Sequence, residues 1–159
     1  MCYNRTMKTL IVLGLLFCFP CVCLAPETEF SKTIIIIEQA CVRFNYSVSK
    51  ALSLLATEND FKNTTTFQKS TCRHYYGAGQ ICLETAKIPG LHFKGTEKDL
   101  ENPKISIPLC VHYLKIFDKR FHHNYEKTVA HYSGYVGQPN REKHFFKVRA
   151  LLRAIRSEL

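Results

Sequence analysis

A chain of 159 residues with 22 Lys and Arg against 13 Asp and Glu carries a formal charge of +9. That length gives one domain and no more, and the charge selects acidic partners: glycosaminoglycans, anionic membranes or an acidic receptor face. No repeat or low-complexity segment interrupts the chain, which sets repeat and fibrous architectures aside.

Residues 1–25 read as a signal peptide. Arg5 and Lys8 form its positive region, residues 10–19 an uncharged apolar run, and Cys21-Val22-Cys23-Leu24-Ala25 a small-residue cleavage region, cut after Ala25 or Cys23. The apolar stretch through Ala25 covers 16 residues, fewer than the roughly 20 that span a bilayer. A secreted, extracellular protein without membrane insertion is the expectation, and nucleic acid is not an expected partner. Cleavage leaves residues 26–159 as the domain, with 20 basic against 13 acidic residues and a charge of +7. It also leaves four cysteines, Cys41, Cys72, Cys82 and Cys110. In an oxidising compartment they imply two disulfides, in any of three pairings, and the lack of a CxxC pair argues against zinc. Asn45-Tyr46-Ser47 and Asn63-Thr64-Thr65 are glycosylation sequons, the second in the more polar stretch.

Along the domain, Ile34, Ile37, Cys41, Phe44, Val48, Leu52 and Leu55 recur at three- and four-residue steps. That pattern predicts one helix over 32–56 with Ser31 as N-cap. Residues 57–70, rich in Asn and Thr, read as a loop. Cys72, Tyr75, Gly79, Cys82 and Ala86 give a weak second helical signal, diluted by Gly77 and Gly79 and ended by Pro89-Gly90. Residues 90–104 are loop-like. Pro108 suits a helical first turn, and Cys110, Leu114, Phe117, Phe121 and Tyr125 form the stripe behind it. Val129 and Tyr132 could extend that stripe until Ser133-Gly134. Asn140 then caps a last helix with a seam of Phe145, Val148, Leu152, Ile155 and Leu159. Four amphipathic stripes without a hairpin signal predict an all-α, four-helix bundle, reinforced by disulfides worth ~2–4 kcal/mol each.

Catalytic chemistry is not legible: there is no GxSxG elbow, no phosphate-cradling glycine loop and no HExxH. The chain is expected not to be an enzyme and to hold no cofactor or metal. His112, His122, His123 and His131 gather near the third helix, but their spacing gives no metal-ligand geometry. On the last helix Arg149, Arg153 and Arg156 cluster beside the apolar stripe with Phe146 just beyond, the residue types that dominate protein-binding surfaces. A solvated basic face, a heparin patch or a membrane-active cationic helix would use the same residues.

Local strings resemble the interleukin-4/interleukin-13 family of short-chain helical cytokines. Lys62-Asn63-Thr64-Thr65-Thr66 followed by Ser70-Thr71-Cys72-Arg73 is similar to that family's loop into its second helix. Leu114-Lys115-Ile116-Phe117-Asp118-Lys119-Arg120-Phe121 resembles its third helix, and Phe145-Phe146-Lys147-Val148-Arg149-Ala150-Leu151-Leu152 its final one. The resemblance implies an up-up-down-down bundle and a secreted, monomeric signal that brings two cell-surface receptor chains together to regulate immune cells. It makes Lys119, Arg120 and, on the first helix, Glu38 contacts of one receptor chain. Arg149, Arg153 and Arg156 would face the other. It also implies the crossed pairs Cys41–Cys82 and Cys72–Cys110. In interleukin-4 the last cysteine of this set follows the third helix, whereas Cys110 opens it here. The family topology further requires the third helix to end near Tyr125. The competing expectation is a cationic host-defence or glycosaminoglycan-binding protein; a cystatin-like inhibitor ranks last, for want of strands wrapped on one helix.

Overall fold

The computed structural model describes residues 28–69, 71–134 and 141–158. The expected signal peptide, the Asn140 cap, the Ile155 side chain and Leu159 lie outside the described residues. The described chain is mostly helical: α1 (Glu29–Phe44), α2 (Val48–Asn59), α3 (Leu83–Ala86), α4 (Glu97–Leu100), α5 (Pro103–Arg120), α6 (Tyr125–Tyr132) and α7 (Arg141–Glu158). Strands β1 (Thr66–Gln68) and β2 (Arg73–Tyr75) form a small antiparallel hairpin in which Phe67 faces His74.

The first predicted helix is two helices. Thr28, not Ser31, caps α1: its hydroxyl accepts from the Ser31 N–H at 3.1 Å, and the Ser31 hydroxyl bonds back to the Thr28 carbonyl. At the far end Asn45 turns left-handed (φ 48°). The Asn45 N–H then reaches the Val42 carbonyl and the Tyr46 N–H reaches that of Cys41. That paired closure ends a helix whatever its apolar periodicity. Ser47 restarts it by accepting from the Lys50 N–H. Ile37 and Cys41 are buried before the break and Ala51, Leu54 and Leu55 after it. The apolar seam therefore runs across the corner, which is why periodicity alone reads it as continuous.

The weak second helix expected around Cys72–Ala86 is absent from the described residues; the hairpin and the four-residue α3 stand there instead. Beta-branched and aromatic residues with a left-handed Cys72 (φ 51°) at the turn favour paired strands over a glycine-interrupted helix. The third helix starts five residues before Pro108. Asn102 caps it, accepting from the Lys104 N–H, and Pro103 occupies the first turn. It stops at Arg120, where His122 and His123 are both left-handed (φ 52° and 62°), and Asn124 then caps the separate α6.

The core joins α1 to α5 and α2 to α7, with α6 against both α5 and α7. Ile37, Leu54, Leu55, Leu100, Ile107, Val111, Leu114, Val129 and Val148 are among its largest fully buried side chains. Lys50 meets Asp118, while Leu55 and Cys110 both close on Gly79, so α2 runs antiparallel to α5. The three residues joining α1 to α2 reach about 10 Å, whereas 16 helical residues extend about 24 Å. Helix α2 cannot therefore run parallel beside α1, and these two do not supply an up-up pair. The expected disulfides are not formed in this structure. Cys41, Cys82 and Cys110 are buried free thiols, and Cys72 is exposed on the hairpin turn.

Candidate functional site

The sequence-nominated residues divide between two helix pairs. Glu38 is exposed on α1, which packs against α5, and Lys119 and Arg120 are the exposed last two residues of α5. The Arg120 guanidinium lies 5.6 Å from the Phe117 ring centroid, which holds its stem down while the charge faces water. Arg149, Arg153 and Arg156 are exposed on α7, the helix that packs against α2. Val148 and Leu152 form the buried side of α7, and Phe146, 64% exposed, stands outside with the arginines. Exposed Lys143 and Lys147 extend the basic face. The two groups of candidates thus lie on two different helix pairs.

A polar network that sequence reasoning missed joins α2 to the end of α5 and the start of α6. Asp118, only 4% exposed, accepts from Lys50 Nζ at 3.0 Å and pairs with His123 Nδ1 at 2.7 Å. Burial pushes its carboxyl up, but the His123 and Lys50 hydrogen bonds and the Lys50 charge prevail and hold it below the usual carboxylate range. Tyr125 donates to the Lys50 carbonyl at 2.7 Å and shares a hydrogen bond with Ser53 at 2.9 Å. Its ring also lies 5.2 Å from the Lys50 ammonium. Burial, followed by the Tyr125 and Asp118 charges, raises the nearby Tyr46 phenol. At its other end α6 is fastened by Ser133, whose hydroxyl donates to Glu58 at 2.5 Å and contacts His144 Nε2 at 2.8 Å. The segment between α5 and α7 is therefore tied to α2 at both ends.

One signal for this network was available: Val111, Leu114 and Asp118 are spaced i, i+3, i+7, placing a carboxylate on an apolar stripe. Its partner, 68 residues away, has no such local mark.

Of the four histidines noted in the sequence, His112 and His131 serve packing. His112 stacks on Phe44 with ring centroids 4.4 Å apart, and His131 sits among Tyr113, Phe117 and Phe121. Asn45 is exposed, and its carbonyl accepts from Lys115 Nζ at 3.0 Å. Asn63 donates its amide to the Glu101 carbonyl at 3.1 Å, with its Oδ1 buried. Burial, then the Glu38 charge, pushes the Cys41 thiol up to about 11, and burial above all pushes Cys110 up to about 12. Among the described residues no helix is long and apolar enough to cross a membrane, and no cluster of three metal-ligating side chains forms. No family model, curated protein or solved structure matches this chain.

Proposed function

We propose that the chain is a secreted cytokine of the interleukin-4/13 kind, which regulates immune cells by bringing two receptor chains together. The observation that carries this reading is the separation of two exposed basic clusters onto different helix pairs: Lys119 and Arg120 on α5 beside α1, and Arg149, Arg153 and Arg156 on α7 beside α2. Glu38 adds an acidic contact on the first surface. A long link between the last two long helices also supports it. Residues 121–140 contain twelve positions outside α6, which reach about 40 Å, more than the ~27 Å length of the 18-residue α5. A crossover of the kind a cytokine bundle uses is therefore within reach. The crossed disulfides Cys41–Cys82 and Cys72–Cys110 belong to this reading. N-glycans on Asn45 and Asn63 belong to it as well.

The test is binding of the purified secreted protein to candidate cytokine-receptor ectodomains, together with phosphorylation of a STAT factor in responsive leukocytes. Lys119→Glu with Arg120→Glu is expected to weaken one receptor chain, and charge reversal at Arg149, Arg153 and Arg156 the other. Signalling that survives both sets of changes removes the site assignment. The exposed Lys143, Lys147, Arg149, Arg153 and Arg156 of α7, with exposed Phe146, favour a second reading as a cationic host-defence protein. Lysis of anionic vesicles by the intact protein, independent of any receptor, would select it.

A further inference from the structure

The segment between α2 and β1 is fastened across the fold by Asn63. Its amide Nδ2 donates to the Glu101 carbonyl, at the junction of α4 and α5, over 3.1 Å. Its Oδ1 is buried and closed to water. Gly77, left-handed at φ 70°, packs against that oxygen: a Cβ there would stand 3.0 Å from Asn63 Oδ1 and 2.7 Å from the Ser106 hydroxyl of α5. Three further bonds close on the next residue. The Gly77 N–H and Gln80 Nε2 each reach the Thr64 carbonyl at 3.1 Å, and Asn59 Nδ2 reaches the Thr64 hydroxyl at 2.9 Å.

Asn63 is also the acceptor of a glycosylation sequon. Transfer of a glycan forms a bond from Nδ2 to C1 of the sugar, breaks the C1–oxygen bond of a lipid-linked sugar diphosphate donor and releases one Nδ2 proton. The product is a secondary amide and is trans, so the sugar stands opposite Cβ and on the same side as Oδ1. Either Nδ2 hydrogen can serve the bond to Glu101, and the sugar conflicts with the closed segment in both cases. If the hydrogen beside Oδ1 serves it, the sugar replaces that hydrogen and the bond is lost. If the other serves it, the sugar must enter the space beside Oδ1, which is sealed even to water. Asn45 differs. It is exposed and closes the α1–α2 corner with its backbone N–H and carbonyl, leaving its side-chain amide out of those bonds.

We propose that a glycan on Asn63 and closure of residues 60–66 over the α4–α5 junction exclude each other, whereas Asn45 carries its glycan within the closed fold. Asn63 is then a fastener controlled by modification. Its bare amide holds the segment against the turn at Gly77, and its glycan releases the segment together with the hairpin that follows. The inference rests on the secretory part of the proposed function, which brings the chain to the glycosyl donor, and not on receptor engagement.

The test secretes the mature chain from cultured cells behind a foreign leader, so that the result does not depend on residues 1–25. Peptide mass spectrometry reads occupancy at each sequon. Hydrogen exchange on the separated glycoforms reads the Gly77 amide, which is bonded to Thr64 when the segment is closed. Thr65 is exposed, and Thr65→Val removes the second sequon while keeping the Asn63 side chain. Thr65→Ala does the same with a smaller residue. Both variants are expected to protect Gly77. Chains glycosylated at Asn63 are expected to exchange it roughly tenfold faster, the factor given by loss of about one net hydrogen bond. Asn45→Gly removes the first sequon and is expected to leave that rate unchanged. Secreted chains with Asn63 bare throughout and Gly77 protected agree with the exclusion. A glycan on Asn63 with Gly77 as protected as in Thr65→Val overturns it, and so does fast exchange in chains whose Asn63 is bare. An equal acceleration by the Asn45 glycan overturns the distinction between the two sequons. Signalling lost with the exclusion intact counts against the cytokine reading alone. A glycosylated Asn63 in a closed segment, with signalling retained, counts against this inference alone.

Discussion

Replacing Asp118 with Ala leaves the Lys50 ammonium, 19% exposed, without its anion. Breaking a buried ion pair from one side costs about 3–5 kcal/mol. Lys50 keeps enough exposure to recruit water, which puts the loss near the lower bound. His123 adds little, since its side chain is 68% exposed and water replaces its lost partner. The expected destabilisation is therefore about 3 kcal/mol, or on the order of 10 °C in melting temperature for a domain of this size. Thermal and urea unfolding followed by far-UV circular dichroism would measure it. The companion change is Lys50→Met with Asp118→Leu, which removes both charges and fills the space with apolar atoms. That double variant is expected within about 1 kcal/mol of the unaltered protein, because desolvation of a buried pair cancels most of its attraction. A loss below about 1 kcal/mol for Asp118→Ala alone, or a double variant as unstable as the two single variants summed, would refute the clasp between α2 and the α5–α6 turn.

Acid should destabilise the protein in two stages. Burial, followed by His92 and Arg43, holds His112 below the usual histidine range, and burial, followed by Arg120, does the same to His131. The unfolded chain then binds more protons, so stability begins to fall as pH drops through about 6.5. Asp118 has a depressed pKa; its contribution is fully present above about 3.9 and is lost as pH falls through its lower folded value. Urea midpoints across a pH series would show both stages, and His131→Gln should flatten the upper one. At the helix corner, Asn45→Ala places a Cβ-restricted residue at φ 48° and should cost ~1–2 kcal/mol. Asn45→Gly should be nearly neutral in the same melting assay, although both changes abolish the sequon. Gly79→Ala would drive its methyl into Cys110 Sγ and to 2.9 Å from both Leu55 and the Tyr132 hydroxyl. A loss of about 2–3 kcal/mol from overpacking is expected, and an unchanged melting temperature would mean that this loop does not thread between α2 and α5.

What the sequence disclosed follows from which interactions are local. The stripes behind α1, α5 and α7 were legible because Ile37, Cys41, Leu114, Phe117, Val148 and Leu152 repeat at helical spacing and are buried at that spacing. The break at Asn45 was not, because the seam keeps its phase through the corner while two backbone hydrogen bonds and a left-handed residue decide the geometry. The hairpin was hidden for a similar reason: each strand is three residues long, too short for alternation to register. The candidate surface was legible in charge but not in arrangement. Lys119, Arg120 and the α7 arginines are plain in the sequence, yet the elements that set one cluster beside α1 and the other beside α2 meet only through long-range packing.

The same distinction bears on topology. A three-residue corner forbids α1 and α2 from running side by side in parallel, and the described residues between 60 and 102 supply only four-residue helices in place of a second long one. Of the three strings similar to the interleukin-4/13 family, those of the expected third and last helices lie after that region. Any receptor pairing built on the resemblance therefore rests on α5 and α7. Glu38, on the helix whose neighbour departs from the family order, is the contact whose charge reversal should matter least.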